Sequence, residues 1–340
     1  MAPPTLIERG SPTVVPASTS APPLRQGSKL PPRVRLLILF VLNLGLHSAL
    51  LTVTNNFLGN ELGQIAKKPD RKGDEPLDLF YLLAPRLGYK LAVVWLGWWL
   101  NYDFFDISSL TALANVPYVY LLTTFYDVTP ITATALFVNE IIAIALPTYL
   151  LRPRSALNNN KIPLRNRYLL KSHQVTYSST LLAVGVYVVV IYSAITTGQL
   201  TSFLIAHSEI TTFVPAYDET PPGMALKLLL AGYATKNFLL NPAIGATAAS
   251  DAATPAEPFN AATANLPQTF KHNFWNFSRR TRTLIKQTVV ASIFILGNTT
   301  VRAYSLEGTD AVGAAGYSGV WILATIICGG WYVWVGDAES

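Results

Sequence analysis

The chain has 340 residues, 51% of them hydrophobic and only 13% charged, whereas soluble domains carry about 25% charged residues. The deficit falls in long apolar blocks, which excludes an ordinary soluble domain and makes a bilayer the solvent. A formal charge of +6 does not point to nucleic acid, because the basic residues form short clusters beside apolar runs; the single cysteine, Cys328, excludes an intrachain disulfide and a cysteine-based zinc site.

Residues 1–32 are rich in Pro, Ser and Thr with almost no aromatic residues, so burial cannot offset their ordering entropy. They read as a disordered cytosolic tail ahead of a transmembrane helical domain over 33–340. The prolines argue against the amphipathic helix of a mitochondrial presequence, which favours an endomembrane location over the mitochondrial inner membrane.

The first predicted span, 34–53, carries Asn43 and His47 four residues apart and so on one helix face. Such a pair faces protein. It either hydrogen-bonds a neighbouring helix or serves as a ligand or proton site. After a mixed-charge loop over 56–87, the stretch from Gly88 to Leu151 divides into the runs 88–105, 108–126 and 131–151. Asp106, Ser108 or Ser109 can cap the second run, and Thr129 followed by Pro130 opens the third. Turns this short make the three runs antiparallel neighbours.

Two constellations in this stretch bear chemistry. Ala135, Asn139, Ala143 and Pro147 form an i, i+4 stripe with Glu140 beside it, so Glu140 borders an interhelical contact. At bilayer depth its carboxyl must be protonated, paired or next to water, and His47, Asn43, Asn115 and Tyr118 are candidate partners. Asp103 and Asp106, in the turn after the Trp95, Trp98, Trp99 cluster, read as a capped turn ion-paired with Arg152 or Arg154. The sharper alternative is a cation-holding or acid/base carboxylate pair.

The segment 152–171 holds Arg152, Arg154, Lys161, Arg165, Arg167 and Lys171 with no acidic residue, the signature of a cytoplasmic face that can also attract anionic lipid headgroups. Spans 178–197 and 224–248 follow, the second diluted by Lys227, Lys236, Asn237 and Asn241. Residues 249–267 read as a flexible linker, and 270–280 as an amphipathic interfacial helix in preference to a nucleic-acid surface. Spans 288–304 and 313–335 close the chain, the last opening with Gly313, Gly316 and Gly319, which allow close helix approach. The expectation is an all-α polytopic transmembrane bundle of about eight spans, both termini cytoplasmic.

No phosphate loop, dinucleotide fingerprint, nucleophile elbow or metalloprotease motif is present, and nothing in the sequence asks for a cofactor or metal. The leading reading is a noncatalytic scaffold, anchor or assembly factor whose partners are the lipid bilayer and other membrane proteins. A proton- or cation-coupled small-solute transporter using Glu140, Asn139, His47 and Asn43 comes second, with the Pro117 kink and the span 224–248 as broken helices. A membrane-embedded enzyme acting on a lipophilic substrate through Glu140, Asp103 and Asp106 comes third. A closed polar cavity would favour transport, an open lipid-facing cleft an enzyme, and a solid bundle a scaffold.

Overall fold

The computed structural model describes residues 31–58, 61–67, 76–160, 166–210, 212–246, 265–266, 269 and 277–337. The readings of 1–32 as a tail, 249–267 as a linker and 270–280 as an interfacial helix fall largely outside these residues. Among the described residues the fold is all-α. In chain order the helices are α1 (Pro32–Leu58), α2 (Glu61–Ile65), α3 (Pro76–Trp99), α4 (Phe104–Phe125), α5 (Pro130–Leu151), α6 (Arg167–Lys171), α7 (His173–Thr196), α8 (Gln199–His207) and α9 (Val214–Tyr217). Then α10 (Pro221–Thr235) runs through a π-turn (Lys236–Leu240) into α11 (Asn241–Gly245), followed by α12 (Arg279–Ala303) and α13 (Ala311–Asp337).

Five described helices, α1, α5, α7, α12 and α13, are long and apolar enough to cross a membrane, which corrects the expected count of eight. The three remaining expected spans fall short for chemical reasons. Arg86 and Lys90 interrupt α3, while Asp106, Thr111, Asn115, Thr123 and Thr124 dilute α4. In turn, α10 has only 15 residues before the π-turn and carries Lys227. Pro242, which has no N–H to donate one turn back, sits just after that π-turn.

Helix α4 is the axis of the bundle, packing against α5, α10 and α12 with Leu110, Leu113 and Leu122 fully buried. Around it α7 packs on α10 and α13, α12 packs on α13, and α1 rides on the outside of α5. The outward faces are apolar: Leu37 and Val41 on α1, Leu181 and Val189 on α7, Ile293 on α12 and Leu323 on α13 are all exposed. A surface of this kind is solvated by lipid, and helices meet the demand of a bilayer by pairing their backbone groups internally. The molecule is a helical membrane protein. In α13, a Cβ at Gly313 would lie 2.7 Å from the Cβ of His207, and one at Gly316 would strike the Phe203 ring, so this glycine face admits the short helix α8.

Each end of the bundle is tied by specific bonds. At one end, Ala66 and Leu306 form an isolated antiparallel bridge, with Lys67 N–H donating to Ser305 O at 2.9 Å and Glu307 N–H to Ile65 O at 2.9 Å. Close by, the Thr129 amide donates to Glu61 Oε2 at 3.1 Å, so the expected α5 cap position is held from α2 and not by its own hydroxyl. At the other end, Tyr102 Oη donates to Gln287 Oε1 at 2.7 Å and joins the start of α4 to α12.

Candidate functional site: an ion-paired cavity

The site is assembled from polar pairs spaced one helical turn apart in otherwise apolar helices. Asn43 and His47 come from α1, Arg86 and Lys90 from α3, Thr111 and Asn115 from α4, and Asn298 and Arg302 from α12. Residues four apart share a helix face, so each helix presents two polar groups to one place. They meet Glu140 of α5 and line a partly open cavity of about 140 Å³.

The Glu140 carboxylate takes three partners. Lys90 Nζ lies 3.3 Å from Oε1 and 3.4 Å from Oε2, Arg302 donates to Oε1, and His47 Nδ1 stands 3.6 Å away, beyond hydrogen-bond distance. Arg302 also lies over the Tyr118 ring at 5.1 Å, which fixes the guanidinium plane. The floor is amide-bonded: Asn298 Nδ2 donates to Ala114 O at 2.7 Å and to Asn115 Oδ1 at 3.1 Å, while Asn115 Nδ2 donates to Thr111 O at 2.7 Å. Helix α13 reaches the same stretch of α4 through Tyr317 Oη, which donates to Pro117 O at 2.8 Å. Arg86 lines the cavity without a hydrogen bond or ion pair among the described residues, and its Nε is buried and unpartnered. Thr111 Oγ1 is buried there too and likewise bonds to nothing.

The structure thus brings His47 to Glu140 as the sequence suggested and puts Asn43, Asn115 and Tyr118 in the same cavity wall. Asn43 and Asn139 act between helices: Asn43 Nδ2 donates to Ala143 O at 2.8 Å and Asn139 Nδ2 to Thr54 Oγ1 at 2.6 Å, clamping α1 onto the small-residue stripe of α5. The main partners of Glu140, Lys90 and Arg302, were missed, as was Arg86. Their signal was the i, i+4 polar pairing itself, one cation inside the run 88–105 and another near the end of 288–304.

The second constellation is built differently from the expectation. No ion pair joins Asp103 or Asp106 to Arg152 or Arg154. Instead Asp103 is the N-cap of α4 and forms a reciprocal capping box with Asp106. Its carboxylate also accepts from Ser155 N at 2.9 Å and Asn158 Nδ2 at 2.9 Å, which fastens the post-α5 loop to α4. Arg152 donates to Gly97 O at 2.8 Å and Trp98 O at 3.0 Å, last-turn carbonyls of α3 that also accept from Tyr102 N and Asn101 N, and Arg154 covers the Phe104 ring at 5.6 Å.

A second crevice of about 250 Å³ lies between α4, α5 and α10 and is mainly apolar, with Tyr120, Thr123, Phe137 and Leu228 among its walls and Lys227 at its edge, paired with Glu219. None of the three carboxylates considered for enzyme chemistry lines it. Comparison with protein-family models, curated proteins and solved structures finds no match. Fold and site together define a helical membrane protein with an ion-paired cluster lining a partly open cavity between its helices.

Proposed function

We propose that the protein is a small-solute carrier whose solute occupies the cavity beside Glu140. One observation carries this reading: a partly open cavity of about 140 Å³ lies beside an ion-paired cluster between the helices. Protein interiors are otherwise close-packed, and a scaffold has no use for a charged void that lowers its stability. The size is well under the roughly 300 Å³ at which drug-sized ligands begin to fit, so the solute is small. Coupling through Glu140 is disfavoured for a cation and for a proton alike, because Lys90 and Arg302 already pair with its carboxylate.

The test is reconstitution into vesicles and stopped-flow light scattering with isotonic glycerol, urea, ammonium acetate and sodium phosphate. At least one solute should enter faster than in protein-free vesicles, and Ala143→Phe, which fills the cavity wall, should abolish the difference. Protein-free rates for every solute would return the scaffold reading to first place. A pH-sensitive dye inside the vesicles tests coupling, since Glu140→Gln should leave unchanged any proton movement that accompanies entry.

A further inference from the structure

The charges lining the cavity do not balance. Among the described residues, Arg86, Lys90 and Arg302 face one carboxylate, Glu140, so the lining carries a surplus of two positive charges before His47 is considered. A cation without a counter-charge between packed helices is costly, and such residues commonly mark a substrate path. Arg86 is the clearest case, because Lys90 and Arg302 share Glu140 while Arg86 has no acid within reach among the described residues.

From this we infer that the solute is an oxyanion of the carboxylate or phosphate class, gripped by Arg86 together with Arg302 and Lys90. Glu140 is the resident anion that holds the last two cations when the solute is away. The inference rests on the reading of the cavity as a solute site and adds the solute's chemistry. A guanidinium presents a planar fork of donors that matches the paired oxygens of a carboxylate or phosphate, which a halide cannot satisfy in the same way. Thr111 Oγ1, buried and unbonded in the same wall, supplies a neutral donor for a further oxygen. The oxyanion answers the surplus charge while Glu140 stays in place, so Lys90 and Arg302 have a counter-charge with or without the solute. A network serving stability alone would be expected to pair its charges one to one, and this one leaves a guanidinium over.

The experiment uses the full chain in phosphatidylcholine nanodiscs, with thermal unfolding followed in sodium phosphate, sodium acetate and sodium chloride at equal ionic strength. Phosphate or acetate should raise the midpoint saturably and chloride should not. Arg86→Gln should weaken half-saturation by about tenfold or more, the loss of one charge-assisted bond, while its midpoint without oxyanion stays level or rises. Arg86→Lys, keeping the charge without the fork, should fall between. Glu140→Gln strips Lys90 and Arg302 of their counter-charge, so its midpoint should drop in chloride and recover in the oxyanion, with tighter half-saturation than wild type. Stabilisation seen only when phosphatidate is added to the nanodisc would identify a lipid headgroup as the source of the same oxyanion chemistry.

Wild type that responds alike to phosphate, acetate, phosphatidate and chloride would overturn the inference, as would Arg86→Gln binding oxyanion as tightly as wild type. The two readings fail separately. A neutral solute that crosses vesicles without any oxyanion effect removes this inference and leaves the carrier, whereas saturable oxyanion binding with no solute crossing keeps this inference and removes the carrier.

Discussion

Tyr187 shows how a single polar atom is housed in this interior. Its ring is fully buried against Trp321, and its hydroxyl lies 3.1 Å from Thr235 Oγ1 and 2.8 Å from Thr325 Oγ1. Both threonines donate to their own helices, to Ala231 O and Trp321 O at 2.8 Å each, so Tyr187 can only donate, and to one of them at a time. Tyr187→Phe therefore loses a single bond worth about 0.6 kcal/mol in a bilayer setting. Tyr187→Ala opens a cavity and should cost about 3–5 kcal/mol, a contrast readable in thermal midpoints. Asp310 makes the corresponding case at the surface. Its carboxyl is held below its ordinary value, first by the Gly313 N–H and then by the His207 imidazole, whose Nδ1 is 2.8 Å away. A depressed value means that the contribution to stability is complete above the ordinary carboxylate range and fades as pH falls through it. Asp310→Asn should thus shrink the drop in midpoint between neutral pH and about pH 4, and an unchanged drop would deny the ionised form any part in the fold.

Among the elements, the start of α4 joins more parts than any other helix end described. Asp103 is 1% exposed and accepts from Phe105 N, Asp106 N, Ser155 N and Asn158 Nδ2, so Asp103→Ala strands several buried donors at about 1–3 kcal/mol each before relaxation. Asp106→Ala removes only the weaker return bond to Asp103 N, at 3.3 Å, and a long 3.4 Å contact with Asn158, so its midpoint should fall less. Equal losses would show that the loop attachment contributes nothing. The capping box was legible in the sequence as two aspartates three apart before an apolar run. Its anchor at Asp103 was displaced onto Asp106, Ser108 or Ser109 because hydropathy, not cap geometry, set the predicted boundary. The partner of Arg152 was not legible at all, since spacing cannot reveal which last-turn carbonyls of α3 face it across the bundle. Lys236 raises a related question in the π-turn: it is 3% exposed, and its Nζ donates to Thr176 Oγ1 at 3.3 Å, a lysine stem laid along apolar surface with its head led to a polar group. Lys236→Met should therefore keep or raise the midpoint, and a fall of several kcal/mol would mean that the ammonium has a needed counter-charge.

For the molecule as a whole, the apolar blocks made the solvent and the helical class legible, because both depend on composition over 20 or so residues. The span count was less legible, because α4 is shielded by its neighbours and can carry polar groups that lipid-facing helices cannot. The cavity lay in between. Glu140 stood out alone, yet the turn-spaced pairs on four other helices become a site only when α1, α3, α4 and α12 are brought around α5. Sidedness can be checked against a quiet background, since Cys328 is buried. Cysteines placed at Lys171 and Asp218, both exposed and on either side of α7, should label from opposite faces of the membrane, and labelling from one face would overturn the crossing by α7.

The main-chain bridge between Ala66 and Leu306 has a mechanical consequence. It joins the α1–α3 arm to the α12–α13 turn at one end by backbone bonds that side-chain rotation cannot release, so that end acts as a fulcrum. At the far tip, where α3 finishes at Trp99 and α12 begins at Arg279, only side-chain bonds among the described residues, such as those of Arg152 to Gly97 O and Trp98 O, oppose a swing of the arm. Paired spin labels at that tip should show a distance distribution that broadens when acetate or phosphate is added, while a pair beside the bridge stays narrow. Equal broadening at both ends would mean that the arm translates and does not pivot.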